Sequence, residues 1–211
     1  MPPAKKSQKA PVPDRIIDGM LAVVAEKGWM RASMHEIADR ADVSIAQLYD
    51  HHRTKISILS ACMRRVDHAV LAGVGKGAES ESARDRLFDV MMKRFDALTP
   101  HKEAVGRILR DIPFDPPAAL WLACRAKNSM RWMLEAAGVS GSGILGRIRI
   151  KGLLAIYVAT LRVWLGDDSE DMGKTMAFLD KRLTRTETVV NRACGFARPG
   201  RRSSEPAEEA V

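Results

Sequence analysis

Ser33, Ser44, Gln47, Tyr49, His51 and Lys55 bring hydroxyl, amide, imidazole and ammonium groups together within 23 residues of chain. Such groups exchange hydrogen bonds with phosphates and with the edges of bases. Bond-making chemistry needs other equipment, and the chain lacks its signatures: no Gly-rich phosphate loop, no His-Glu-x-x-His, no Gly-x-Ser-x-Gly elbow. His51 and His52 are adjacent, so on a helix they point about 100° apart and chelate one ion poorly. His35, His68 and His101 are isolated. No catalytic residue, metal or cofactor is therefore expected.

The spacing around the polar set draws two short helices joined by a tight turn, with a third helix following at once. Ser33 and Glu36 have capping-box spacing, which starts a helix at Met34. Ile37, Ala38 and Ala41 share its inner face. Asp42-Val43-Ser44 supplies turn chemistry, and Ser44 can cap a second helix from Ile45 to about His51. In that helix Leu48 continues the apolar line of Val43, leaving Ser44, Gln47, Tyr49 and His51 outside. Thr54 can cap the next helix, carrying Ile56, Ile58 and Leu59, with Lys55 at its N-terminus where amides favour phosphate. This outline is a helix-turn-helix.

At these residues the chain resembles the TetR family of bacterial transcriptional regulators. The pattern falls on Ile37-Ala38, Asp42-Val43-Ser44, Leu48-Tyr49, His51-His52 and Lys55. The resemblance implies that Ser33, Tyr49 and Lys55 meet phosphates and that Ser44, Gln47 and nearby side chains meet bases, with His51 a further outward candidate for DNA contact. Two positions depart from the pattern: Asp42 stands where Gly is usual, and His52 where Phe is common. His52 makes a core contact weaker or pH-dependent, and Ile45 and Ala46 are poor hydrogen bonders.

Composition agrees with a polyanionic partner. The 211 residues carry net charge +8, and residues 1–65 hold eleven Lys or Arg against seven Asp or Glu. Lys5, Lys6 and Lys9 lie in a Pro-rich opening, read as a flexible basic arm over 1–13. Cys62, Cys124 and Cys194 form no paired framework. No signal peptide or apolar span of membrane length is visible, so a cytoplasmic protein without an integral membrane segment is expected.

Low aromatic content, 5%, and helical periodicity throughout predict an all-α protein of about nine helices. A first helix should run from Asp14 to about Lys27, its face of Ile16, Ile17, Met20, Leu21 and Val24 packing on the reading unit. The helix after Thr54 should continue to Gly73 and Gly75. Further helices are expected over 82–98, from Thr99-Pro100 to Arg110, from Asp115 to Ala137, over 144–165, and from a Ser169 cap to Cys194. The domains read as a helix-turn-helix unit at 14–60, a larger helical ligand-binding and dimerisation domain at 61–196, and a disordered tail at 197–211.

The TetR resemblance implies a homodimer on a palindromic operator in double-stranded DNA, released by a small apolar effector, as in a repressor. The dimer seam would fall on 144–165 and 170–194, with Leu153, Tyr157, Leu161, Trp164, Met176, Leu179 and Leu183 as candidates. Met91, Phe95, Phe114, Trp121, Met130 and Met133 could line the effector cavity, with Arg125, Lys127 or Arg131 meeting an acidic ligand. A second resemblance cuts across the first: Trp164 to Leu183, with its Asp-Asp-Ser turn and Leu-Asp-Lys-Arg-Leu, is similar to the C-terminal part of ubiquinone-biosynthesis accessory proteins, which bind isoprenoid lipid on a TetR-like fold. Such a carrier needs a membrane-seeking helix near its end, for which Val189, Val190, Cys194 and Phe196 offer little.

Overall fold

The computed structural model describes residues 10–75 and 82–196. Most of the expected basic arm, the tail from 197 and the side chains named at 189–196 lie outside the described residues. Nine α-helices are present among them: α1 Val12–Lys27, α2 Met34–Arg40, α3 Ile45–His51, α4 Lys55–Ala72, α5 Ala83–Leu98, α6 Lys102–Asp111, α7 Pro116–Ala136, α8 Gly143–Leu165 and α9 Gly173–Phe196. Single 3₁₀ turns at Thr99–His101 and Ile112–Phe114 bracket α6.

The expected boundaries shift where Pro or a side-chain cap intervenes. Helix α1 opens at Val12, two residues before Asp14, because Pro13 in its first turn has a backbone torsion already suited to a helix. Asp14 therefore sits in the first turn, favourable for the helix dipole, and is not the cap. Thr99-Pro100 forms a 3₁₀ turn before α6 begins. Helix α9 starts at Gly173, four residues beyond Ser169, whose hydroxyl accepts from the Gly173 amide at 3.1 Å. The stronger anchor is Asp167, which is buried and accepts from the Thr175 amide at 2.8 Å and the Thr175 hydroxyl at 2.7 Å. Hydrogen bonds from Ser169 and Thr175 hold the Asp167 carboxyl far below the usual carboxylate range.

Two apolar cores organise the chain. One joins α1–α4 and contains the expected Ile16, Ile17, Met20, Leu21 and Val24 together with Trp29, Ile37, Leu48 and Ile58. It also takes Ala104, Ile108, Ile112 and Ala118 from α6, the turn after it and α7, so the larger domain is built into the base of the head. The other core holds Met91, Phe95, Met130, Met133, Leu153, Tyr157, Leu161, Trp164, Leu179 and Leu183.

Six of the seven residues named for the seam belong to that second core. Leu153, Tyr157, Leu161, Trp164, Leu179 and Leu183 are each less than 9% exposed, facing their own chain, and only Met176 is half-buried. Periodicity reports that a helix has an apolar face, not whether that face meets its own chain or a copy. The outward side of α8 instead carries Ile144, Leu145, Ile148 and Val158. No described helix is long and apolar enough to cross a membrane.

Candidate nucleic-acid interface and ligand cavity

Three capping boxes in succession fix the head. Ser33 Oγ accepts from the Glu36 amide at 3.2 Å, while Glu36 Oε2 accepts from the Ser33 amide at 3.1 Å. Ser44 and Gln47 repeat the exchange at 3.1 and 3.0 Å, and Thr54 and Ser57 at 3.1 and 3.4 Å. Each helix start thus has two otherwise orphaned amides satisfied by residues three apart. The Lys27 ammonium and the Ser33 hydroxyl hold the Glu36 carboxyl down at about 2. Asp42 adopts the left-handed conformation, φ 53°, that the turn before α3 requires. Arg15 secures it, donating to the Asp42 carbonyl at 3.0 Å and lying 3.7 Å from its carboxylate.

Helix α3 buries one residue, Leu48, and leaves Ser44 at its cap and Ile45, Ala46, Gln47, Tyr49, Asp50 and His51 exposed. Because Gln47 Oε1 is committed to the cap, its amide nitrogen is the end that can donate outward. His52 closes the helix in the core. Its Nδ1 lies 3.3 Å from Ser57 Oγ, and burial, aided by His51 and Arg64, pulls its pKa below the ordinary histidine value. Lys55 differs from the expectation: its Nζ donates to the Trp29 carbonyl at 2.8 Å and sits 5.0 Å from the Trp29 ring centre. Trp29 Nε1 in turn donates to Asp115 Oδ2 at 3.1 Å, and the Met30 amide to Asp111 Oδ2 at 3.3 Å. At this joint Gly28 has φ 85°, and a Cβ there would stand 2.6 Å from Asp111 Oδ2.

Several head cations are neutralised within the chain: Arg15 by Asp42, Lys27 by Glu36, Arg40 by Glu26, and Arg65 by Asp14 and Asp18. Among the described residues Arg31 and Arg53 make no ion pair, and Arg53 stacks over Tyr49 at 5.3 Å. A charge count along the sequence does not reveal that difference.

Below the head lies an apolar cavity of about 270 Å³. It is bounded by α1 and α4 above (Leu21, Leu59, Cys62, Met63, Val66) and by α5–α8 around it, including Leu98, Ile108, Leu122, Ala126, Leu154 and Tyr157. None of the six expected pocket residues lines it. Met91, Phe95, Met130 and Met133 are solid core, Trp121 packs half-buried on the first core, and Phe114 is 75% exposed in the 3₁₀ turn before α7. Lys127 and Arg131 are exposed. The charged lining residue is Arg94, 2% exposed, whose Nη1 donates to buried Asp67. Ser129 donates to the other Asp67 oxygen at 2.8 Å, and Arg125 lies 3.9 Å from it. Cys62 is buried, which pushes its thiol up to about 11. Among the described residues no cluster of three or more His, Cys, Asp or Glu could hold a metal.

Residues 16–62 match the family of bacterial regulatory proteins, tetR family. Those residues run from α1 into the first half of α4, so the head is similar to the DNA-binding head of that family. Residues 149–190, most of α8 and three quarters of α9, match the COQ9 family. The chain is 26% identical over 150 residues to the HTH-type transcriptional activator FasR of Mycolicibacterium smegmatis, covering 69% of this chain and 68% of that protein. It is 33% identical over 67 residues to the HTH-type transcriptional repressor KstR of the same species, 28% of this chain and 33% of that protein. A solved TetR transcriptional regulator from Nitrosomonas europaea superposes with TM-score 0.68 at 23% identity, over 84% of this chain and 99% of that one. One from Rhodococcus sp. RHA1 gives 0.56 at 20%, over 89% and 100%. These two likenesses establish the TetR fold.

Of the TetR-pattern residues, the fold brings Ser44, Gln47, Tyr49 and His51 onto one exposed helix. Ser33 is exposed at the start of α2 with its hydroxyl donated to Glu36 at 2.8 Å, and Lys55 is turned back toward Trp29. Sequence reasoning missed Arg94, because an Arg among apolar residues of an amphipathic helix reads as a surface group.

Proposed function

We propose that this TetR-family DNA-binding regulator of transcription is a cytoplasmic homodimer that acts as a repressor and leaves its operator when a small, largely apolar ligand fills the cavity. The observation that carries DNA reading is the exposed edge of α3, anchored from beneath by Leu48. Gln47 and Ser44 meet base edges. Ile45 and Ala46, also exposed, present methyl groups suited to the thymine C5-methyl in the major groove. Tyr49, His51, Ser33 and the unpaired cations Arg31 and Arg53 serve phosphates, joined by Lys55 once it exchanges the Trp29 carbonyl for a phosphate oxygen.

The head is residues 14–60 and the ligand and dimerisation domain 61–196. Dimerisation uses the outward face of the N-terminal turns of α8, where Ile144 is 80% and Ile148 61% exposed. Two heads then meet half-sites of a palindrome about 34–36 Å apart. Because the cavity has α1 and α4 for a roof, a ligand that fits better with the heads displaced draws the protein off DNA.

The test is retention of a duplex from the chain's own promoter. Affinity should fall steeply as salt rises, as counterion release requires; absence of retention at low salt rejects the reading. A second reading, a lipid-binding accessory protein of ubiquinone biosynthesis, is favoured by the COQ9 match over 149–190. Copurified polyprenyl lipid without promoter binding would select it.

A further inference from the structure

We infer that the cavity takes an apolar carboxylate, and that Arg94 receives its carboxylate group. The inference rests on reading the cavity as a ligand site and adds the chemistry of what enters. Around Asp67 two guanidinium groups, Arg94 and Arg125, face one carboxylate, so the buried cluster carries one positive charge in excess. Both oxygens of its acid are already engaged: one takes Arg94 and the other takes Ser129. Arg94 Nε and Arg125 Nε are both buried and without a hydrogen-bond partner, and of the two side chains Arg94 lines the cavity. A buried guanidinium N–H left unsatisfied is costly, and a ligand anion supplies both the acceptor and the missing negative charge.

The remaining side-chain wall is hydrocarbon apart from Cys62, the Met63 thioether and the Tyr157 phenol. The ligand body must therefore be apolar. At roughly 30 Å³ per water-sized unit, 270 Å³ suits a body of about nine heavy atoms, which a medium-length straight-chain acid supplies. The way in favours the same sign. An open groove between α6 and α8 shares Leu109, Val158 and Leu161 with the cavity, and its rim has Lys102, Arg107, Arg110 and Arg162 against Glu103 and Asp168. A rim with more cations than acids concentrates anions at the mouth.

The experiment is calorimetric titration of the full chain with decanoate and decylammonium, below their micellar concentrations, and decan-1-ol, below its solubility limit, alongside promoter-duplex retention. Wild type should bind decanoate about 10–100-fold more tightly than decanol, the range of a hydrogen bond to a charged group, and decylammonium not at all. The double variant Arg94→Met/Asp67→Leu removes the close ion pair together and leaves Arg125, whose side chain is 22% exposed, within reach of water. It should bind decanol as before and lose the preference for decanoate. Equal wild-type affinity for acid and alcohol, no binding of either, or a preference abolished by Arg107→Ala/Arg162→Ala and kept by the double variant would overturn the assignment. Decanoate bound tightly with no change in duplex affinity leaves the assignment standing and removes the regulatory reading. Conversely, failure of all three probes while another compound releases the duplex removes only the assignment.

Discussion

The head and the larger domain use the same material in opposite directions. In α1–α4 the functional groups face out and the apolar residues hold them from beneath: α3 has a single buried side chain and an exposed row from Ser44 to His51. In α4–α8 the chemistry faces in, as one buried arginine on an apolar cavity. Outward groups are placed by rules acting over three or four residues, such as capping boxes and helix faces. Inward groups are placed by the meeting of helices far apart in sequence, as Arg94, Asp67 and Ser129 are.

The sharpest way to break this contrast is to remove the inward charge alone. Arg94→Met should destabilise the chain by about 3–5 kcal/mol, since Asp67 is then a buried carboxylate without its close partner. Urea unfolding of this variant and of Arg94→Met/Asp67→Leu checks it: the double variant should recover most of the loss. In the head the corresponding anchor is Leu48, 1% exposed. Leu48→Ala should cost about 2–5 kcal/mol and abolish duplex binding by loosening α3, read by thermal unfolding and by retention of the duplex.

A smaller effect separates the two regions by pH. Burial holds the His52 pKa below its value in the unfolded chain, near 6.5. The unfolded state then takes up the proton first, so stability is complete above about pH 6.5 and falls as pH drops towards the folded pKa. His101, also buried against its ordinary titration, acts in the same direction. Thermal midpoints should therefore decline between about pH 7.5 and 5.5, and His52→Phe should reduce that decline while leaving the His101 part.

The legible part of the fold was the part that local rules control. Ser33 with Glu36, Ser44, Thr54 and Asp115 all cap the helices their positions implied, and Asp42 takes the turn conformation expected of it. Gln47 and Ser57 stand at the same three-residue spacing from Ser44 and Thr54, while the TetR resemblance assigns Gln47 to bases. The cavity was illegible for a different reason. Met91, Phe95, Met130 and Met133 have the types a flexible pocket uses, yet whether such residues meet each other or a void depends on helix packing. Lys55 has phosphate-binding chemistry at a helix start, and only the fold shows Trp29 within its reach.

Ile45 gives the smallest stability effect and the finest test of the exposed edge. At 49% exposure, Ile45→Ala should change stability by under about 0.5 kcal/mol while relaxing preference for thymine at one operator position, scored by binding to a panel of single-base operator variants.

Sequence-specific binding by this chain depends most on α3 lying in a major groove. Selection of bound duplexes from a random pool, run in parallel with wild type, Gln47→Ala and Arg53→Ala, tests this directly. A two-fold symmetric sequence is predicted for wild type, with altered bases at one position per half-site for Gln47→Ala and the same sequence bound more weakly for Arg53→Ala. An identical preference and affinity for all three proteins, or no enriched sequence with wild type, would contradict it.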